Sequence, residues 1–418
     1  MTPEAKARQN IDALLVASGW YVCNVANANI HASDSVAIRE FPLNNGFGFA
    51  DDLLYVNGKA CGVIEAKKEG ATLSGVEHQS GRYSQGLPAT LPAWHRPLLF
   101  LWESTGAEIH FTNGLDPQPR ATGVFAFFRP EWLVQWLQLS VQPTVLHTGT
   151  DQPMAANAPP ATLLRRVQNM PKLVTEWGTG GASFKLWPAQ VTAITNLEKS
   201  LAANKPKALI QMATGSGKTF TSIGFIYRLI KFGGARRVLF LVGRGNLARQ
   251  TKKEFDAYAS PYNNYKFGEE YIIQNLQNNQ LDTSARVVIC AIQRMFSMLK
   301  GRELPADADE ESTEGMDSLF KQSDPIGYNK DFPIESFDIV VTDETHRSIY
   351  NLWRQVLEYF DAYLIGLTAT LMRLRAWSLG VDTRSQSSLL CVRNLLGGFC
   401  GRQKYYVHSR YGERAQSC

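Results

Sequence analysis

The chain has 418 residues, 44% hydrophobic and 19% charged, which is room for two or three cores and too apolar for disorder to be its main state. Its longest apolar runs, such as 238–242 and 124–128, are strand-length and far below the roughly 18 residues a membrane span needs. The net charge of +5 resides at the end of the chain: residues 371–418 hold eight Lys/Arg against two acids, and the other 370 residues carry 35 basic and 36 acidic side chains, so charge alone does not argue for nucleic-acid binding by the body.

The N-terminus predicts a helix, because Pro3 suits a first turn and Ile11, Leu14, Leu15 and Ala17 recur at helical spacing. This pattern is amphipathic, unlike a secretory signal, and the six cysteines show no CxxC spacing. The chain therefore reads as cytoplasmic, without a zinc site or a disulfide framework. Apolar and alternating runs at 36–41, 50–56, 60–66 and 98–101 predict a sheet. Asn57-Gly58 joins two of them and predicts a tight hairpin, since both residues tolerate the positive φ such a turn requires.

In a strand over 60–66, Glu65 and Lys67 point to one face. An aspartate from the partner strand would complete two carboxylates for a divalent metal beside one ammonium. That is the minimum set for phosphodiester hydrolysis: the metal polarises the phosphate and acidifies water, while Lys67 offsets developing negative charge. The register decides which aspartate it is. A two-residue turn sets Asp52 opposite Val63, on the Glu65 face; one extra residue, or a bulge, sets Asp51 opposite Glu65. Both registers are open on spacing alone. Gln79-Ser80-Gly81-Arg82-Tyr83 follows a dozen residues on, and Glu40 is either a third carboxylate or half of a surface ion pair.

Residues 142–162, rich in Pro, Thr, Ala and Asn, read as a linker. Beyond them, buried-strand runs at 208–212, 238–242, 287–291, 337–341 and 363–367 alternate with helical stretches such as 219–231 and 352–360, predicting a doubly wound α/β unit with a parallel sheet. The acidic stretch 303–324 reads as an exposed loop, and residues 371–418 as a basic, poorly ordered tail. Ala213-Thr214-Gly215-Ser216-Gly217-Lys218-Thr219 follows one strand and opens a helix. Its glycines let backbone N–H groups face phosphate oxygens, Lys218 supplies a point charge, and the Thr219 hydroxyl suits Mg²⁺. The run 337–341 delivers Asp343 and Glu344 to a strand end, where Asp343 suits the Mg²⁺ shell and Glu344 can orient an attacking water. Thr368-Ala369-Thr370 closes another strand.

In order, the phosphate loop, Asp343-Glu344-Thr345-His346 and Thr368-Ala369-Thr370 resemble motifs I, II and III of superfamily 2 helicases. Gln190, in Leu186-Trp187-Pro188-Ala189-Gln190, resembles their adenine-reading glutamine. The stretch 241–250 resembles motif Ia, with Gly243 where an acidic residue is expected. The hairpin with Gln79 and Tyr83 resembles the PD-(D/E)xK nuclease core with the Gln-x-x-x-Tyr element of type I restriction enzymes, a resemblance that selects Asp51.

Taken together, residues 1–370 resemble the restriction (R) subunit of a type I restriction–modification system. The resemblance implies a PD-(D/E)xK nuclease domain at 1–141, a linker at 142–162, a first RecA-like P-loop domain at 163–370 and an atypical tail at 371–418. It implies catalytic roles for Asp51, Glu65, Lys67, Gln79, Tyr83 and Glu344, and ATP binding by Gln190, Thr214, Gly215, Ser216, Gly217, Lys218, Thr219, Asp343 and His346. Metal would sit on Asp51 and Glu65, and on Thr219 and Asp343. The cofactors would be Mg²⁺ and ATP, and the partners duplex DNA and the modification and specificity subunits. Thr345 replaces the usual Cys and Leu371 the usual Pro, and the pattern stops after motif III. A truncated or frameshifted gene, with a motor half that binds ATP–Mg²⁺ weakly, is the expectation there. The competing expectation is an inactive interaction module.

Overall fold

The computed structural model describes residues 2–73, 76–141, 162–179, 182–304, 325–343, 351–369 and 390–394. Most of them build two seven-stranded sheets. The first follows α1 (Pro3–Ala17) and runs in chain order: β1 (Tyr21–Asn24), β2 (Ser35–Pro42), β3 (Phe49–Val56), β4 (Lys59–Ala66), β5 (Phe100–Ser104), β6 (Ile109–Asn113) and β7 (Thr122–Val124). Helix α1 starts where Thr2 accepts from the Ala5 N–H, with Pro3 next, and buries Ala7, Ile11 and Leu15.

The β3–β4 pair is antiparallel and β4–β5 is parallel. A parallel pair cannot be joined by a hairpin, so the chain crosses over through α2 (Glu77–Gln85). The two faces of this sheet pack differently. Leu54 and Ile64 join a cluster with Ile11 and Leu15 of α1, whereas Leu53, Tyr55 and Val63 pack with Tyr83 of α2. The helices therefore cover opposite faces, as the alternation of strand side chains requires.

Gly62 shows how tightly β4 and β5 fit. A Cβ there would lie 2.3 Å from the Phe100 carbonyl oxygen and 2.8 Å from the Trp102 ring. Gly62→Ala is expected to cost about 3 kcal/mol or more, because backbone and a buried indole leave nowhere for a methyl to go. A lowered unfolding midpoint in urea measures it.

After α3 (Pro130–Val141), α4 (Leu163–Gln168) and a small hairpin of β8 (Glu176–Thr179) and β9 (Ala182–Lys185), the chain enters the second sheet. Its strands are β10 (Lys207–Met212), β11 (Val238–Val242), β12 (Ile273–Asn275), β13 (Val287–Ala291), β14 (Ile339–Thr342), β15 (Tyr363–Thr368) and β16 (Leu390–Asn394). All described pairings are parallel, in the order β12-β13-β11-β14-β15-β10-β16. Helices α5 (Pro188–Ala202), α6 (Lys218–Lys231), α7 (Gly245–Ala257), α8 (Phe267–Glu270), α9 (Ile292–Leu299) and α10 (Asn351–Tyr359) complete the α/β pattern. One sheet face packs with α5 and α6 through Phe240, Ile289 and Val341. The other, through Leu239, Val288 and Val340, shares one apolar cluster with Phe128, Trp132 and Leu133 beside the first sheet. Arg129 pairs with buried Glu335 at 2.7 Å across this junction, and the Arg236 guanidinium lies 3.4 Å from the Trp132 ring centroid.

Several expectations shift. The strand expected at 98–101 is Phe100–Ser104, and that at 337–341 is Ile339–Thr342. The apolar run 124–128 is strand only at its first residue, because Phe127 and Phe128 turn inward to the shared cluster. The tail is not featureless: Leu390–Asn394 pairs with β10, giving the phosphate-loop strand a neighbour on each side. Residues 142–161, 305–324 and most of 371–418 lie outside the described residues.

Candidate functional site

The Asn57-Gly58 turn forms with φ of 50° and 70°, as a two-residue hairpin demands. Next to the turn, Val56 pairs with Lys59 and Tyr55 with Ala60; farther along, Leu54 pairs with Gly62 and Asp52 with Ile64. Cys61 is the extra residue of a bulge, its thiol donating to the Leu54 carbonyl at 3.4 Å. The bulge settles the register. Continued by one residue, it sets Asp51 opposite Glu65, and the Ala66 N–H donates to Asp51 Oδ2 at 2.9 Å. Asp52 goes to the other face beside Arg39 of β2. It is 4% exposed with one oxygen lacking a partner, and burial together with Asp12 and Asp51 pushes its carboxyl well above the usual range. Asp52 is thus removed from the Glu65 face.

Lys67 Nζ sits 2.5 Å from Glu65 Oε1 and donates to Gln79 Oε1 at 3.0 Å. Gln79 Nε2 in turn donates to the Tyr83 hydroxyl at 2.8 Å, a contact that four-residue spacing on α2 makes natural. Five expected residues, Asp51, Glu65, Lys67, Gln79 and Tyr83, therefore meet at one end of β4. Glu65 is 2% exposed, and its Oε2 is buried without a hydrogen-bond partner. Burial raises its carboxyl above the ordinary range against the pull of Lys67. A buried carboxylate with one free oxygen beside a second carboxylate fits a divalent cation. Glu40 takes the ion-pair role, bonded to Arg8.

Three participants escaped the sequence reading. Arg8 Nη2 lies 2.6 Å from Asp51 Oδ1. Ser80 of α2 donates to Glu103, fully buried on β5 and paired in register with Glu65. The signal for Glu103 was an acid inside an apolar strand; Arg8 and Ser80 carried none. Burial, with Glu77 and Glu65 nearby, pushes the Glu103 carboxyl from 4.5 up to about 7. In the unfolded chain it ionises near 4.5 and in the fold near 7, so stability drops as pH rises between those values. Glu103→Gln is expected to remove up to about 3 kcal/mol of that drop. Urea unfolding of both proteins at pH 5 and pH 8 reads it.

The second cluster lies at the C-terminal edge of the parallel sheet, where open α/β sheets take ligands. Thr214 to Gly217 bridge β10 and α6, with Gly215 at φ 78° and Gly217 at φ 77°, and Ser216 Oγ closes the loop onto the Ala213 carbonyl at 2.6 Å. Lys218 and Thr219 begin α6, so a phosphate would meet the helix N-terminus. Asp343 follows β14, its N–H donating to the Leu241 carbonyl at 3.0 Å. Between β10 and β14 runs β15, which ends at Thr368. Gln190 is buried; its Oε1 accepts from the Trp187 N–H at 2.9 Å, and its amide nitrogen would be 2.7 Å from a Cβ on Gly217. The structure therefore brings Gln190 to the loop. Glu344, His346 and Thr370 lie outside the described residues. Among the described residues no helix is long and apolar enough to cross a membrane.

This parallel sheet with its glycine loop is of a class that has relatives: residues 183–373 match the family model described as type III restriction enzyme, res subunit. The endonuclease subunit of the type I restriction enzyme EcoKI from Escherichia coli K12 is 24% identical, aligned over 88% of this chain and 32% of its own length. That of EcoAI, also from Escherichia coli, is 31% identical over 43% of this chain and 19% of its own. The chain is similar to type I restriction enzyme endonuclease subunits over most of its length, and it spans about a third of the EcoKI relative. A solved fragment assigned as an HsdR subunit of a type I restriction enzyme from Vibrio vulnificus YJ016 is 20% identical, over 90% of this chain and 56% of that one, with a TM-score of 0.29. The UvsW helicase of bacteriophage T4 is 15% identical over 50% of this chain and 60% of its own, with a TM-score of 0.29.

Proposed function

We propose that the chain is the nuclease and first motor portion of a type I restriction R subunit: it cuts DNA with Mg²⁺ and binds ATP. Residues 1–141 would form a PD-(D/E)xK nuclease domain, 142–162 a linker and 163–370 a RecA-like domain, with 371–418 an appended tail. The observation that carries this reading is the meeting of Asp51, Glu65, Lys67, Gln79 and Tyr83 at one strand end, produced by the Cys61 bulge and the α2 crossover.

Asp51 and Glu65 hold the metal, which when bound polarises the scissile phosphate and acidifies a water. Lys67 stands between Glu65 and Gln79, where its ammonium offsets negative charge developing on the phosphate oxygens. Tyr83 accepts from the Gln79 amide nitrogen and so turns the amide oxygen toward Lys67. In the second cluster, Thr214, Gly215, Ser216 and Gly217 wrap the ATP phosphates, Lys218 neutralises them, and Gln190 and His346 complete the nucleotide site. Thr219 and Asp343 hold its Mg²⁺, and Glu344 orients the attacking water. Duplex DNA and the modification and specificity subunits are the partners this reading implies.

A supercoiled-plasmid nicking assay with Mg²⁺ tests it. The unaltered chain is expected to nick and Lys67→Ala to lose at least about 10²-fold in rate. Equal cleavage by both, or none by either, removes the nuclease.

A further inference from the structure

Asp51 has a neighbour that the nuclease reading leaves without a role. Its Oδ2 accepts the Ala66 N–H, and its Oδ1 is held by the Arg8 guanidinium at 2.6 Å, which reaches it from α1 and bonds Glu40 with its other nitrogen. In the β2–β3 register Arg39 faces Asp52 and Phe41 faces Ala50, so Glu40 stands opposite Asp51, which in turn stands opposite Glu65. Glu40 holds φ at 52°, a left-handed value inside a strand for a residue with a side chain, and such strain persists only where its surroundings impose it. Three carboxylates thus lie in a row across three strands. One oxygen of Glu65 is buried and unpartnered, whereas Asp51 and Glu40 are bridged by a guanidinium.

We propose that Arg8 is a built-in cation of this centre: it occupies the Glu40 side of Asp51 and by its charge confines the centre to a single, loosely held divalent ion. A guanidinium suits the post, because its planar fork meets two carboxylates at once and it stays protonated throughout the working pH range. Arg8 acts on the ion through Asp51, whose Oδ1 it occupies. Its positive charge, a few ångström from an incoming cation, also weakens that cation's binding.

The inference rests on the reading of Asp51 and Glu65 as the metal pair, and Mn²⁺ binding to the full chain without nucleotide separates the two. Titration followed by electron paramagnetic resonance counts ions and gives affinities. The unaltered chain is expected to bind one Mn²⁺ that Asp51→Asn loses. Arg8→Ala should bind that ion at least fivefold more tightly. Glu40→Gln, a change at an exposed side chain that leaves the fold intact, should bind it at least twofold more weakly, because the whole charge of Arg8 then falls on Asp51. If Asp51→Asn binds as the unaltered chain does, the metal pair itself fails. If Asp51→Asn loses its ion while Arg8→Ala and Glu40→Gln are unmoved or shift the opposite way, Arg8 alone loses its role. Two ions lost by Asp51→Asn would also overturn the single-ion centre.

Discussion

Glu65→Gln is expected to lower Mg²⁺-dependent cleavage by at least about 10²-fold while leaving the protein about as stable as before. Glutamine keeps the shape and the oxygen that accepts from Lys67, but it removes the charge that would hold a cation. In the fold that charge is costly. Glu65 is 2% exposed, one of its oxygens lacks any partner, and burial pushes its carboxyl upward. Burying a carboxylate charge costs more than burying a neutral amide, so the substitution relieves part of that cost. Against this relief stands the weakened pairing of Lys67, whose side chain is 30% exposed and so keeps much of its hydration. The two effects nearly offset, and the midpoint in urea should move by less than about 1 kcal/mol. The unaltered protein should gain stability when Mg²⁺ is added, as any ligand of the native state confers, and Glu65→Gln should not. A variant that cleaves normally, or that is still stabilised by Mg²⁺, would refute the assignment.

Lys218→Ala should divide the molecule's two chemistries. Lys218 stands at the first position of α6, directly after Gly217 in its left-handed conformation, where the helix N-terminus already favours an anion. Removing the ammonium is expected to weaken ATP binding at least about 10²-fold, since the lysine's point charge on the phosphates is lost. Nicking with Mg²⁺ and no nucleotide should be unchanged, because none of its residues touch the loop. Equilibrium dialysis with labelled ATP and the plasmid assay, run on the same preparation, would decide the matter. Coupled loss of both activities would show that the variant had disturbed the fold.

The parallel sheet was legible because its strands are short, continuous apolar runs bounded by motif residues. The runs 238–242 and 287–291 match β11 and β13 end to end. The phosphate loop was equally plain, since glycine positions and the helix start coincide. The hairpin was legible in its turn and not in its register. Nothing about Cys61 announces that it will bulge rather than pair, and on that one residue depends whether Asp51 or Asp52 faces Glu65. Strands β6 and β7 and helix α3 went unread because Phe111, Phe128 and Trp132 carry no period of their own; they are placed by a cluster assembled from distant parts of the chain. Arg8 lay beyond reach for a similar reason. Its partners are 32 and 43 residues away, and no local spacing marks it.

The apolar cluster shared by the two sheets has a mechanical meaning. Phe128, Trp132 and Leu133 meet the same side of the parallel sheet on which Val288, Val340 and Tyr359 lie, with Arg129 and Glu335 pinned beside them. Neither half is a bead on a string. Each serves as the other's roof, and a protease cutting between residues 141 and 162 would leave two pieces still clasped together. A tilt of β14, the strand that leads to Asp343, would press through those shared side chains on the face of the first sheet opposite the one that α2 covers.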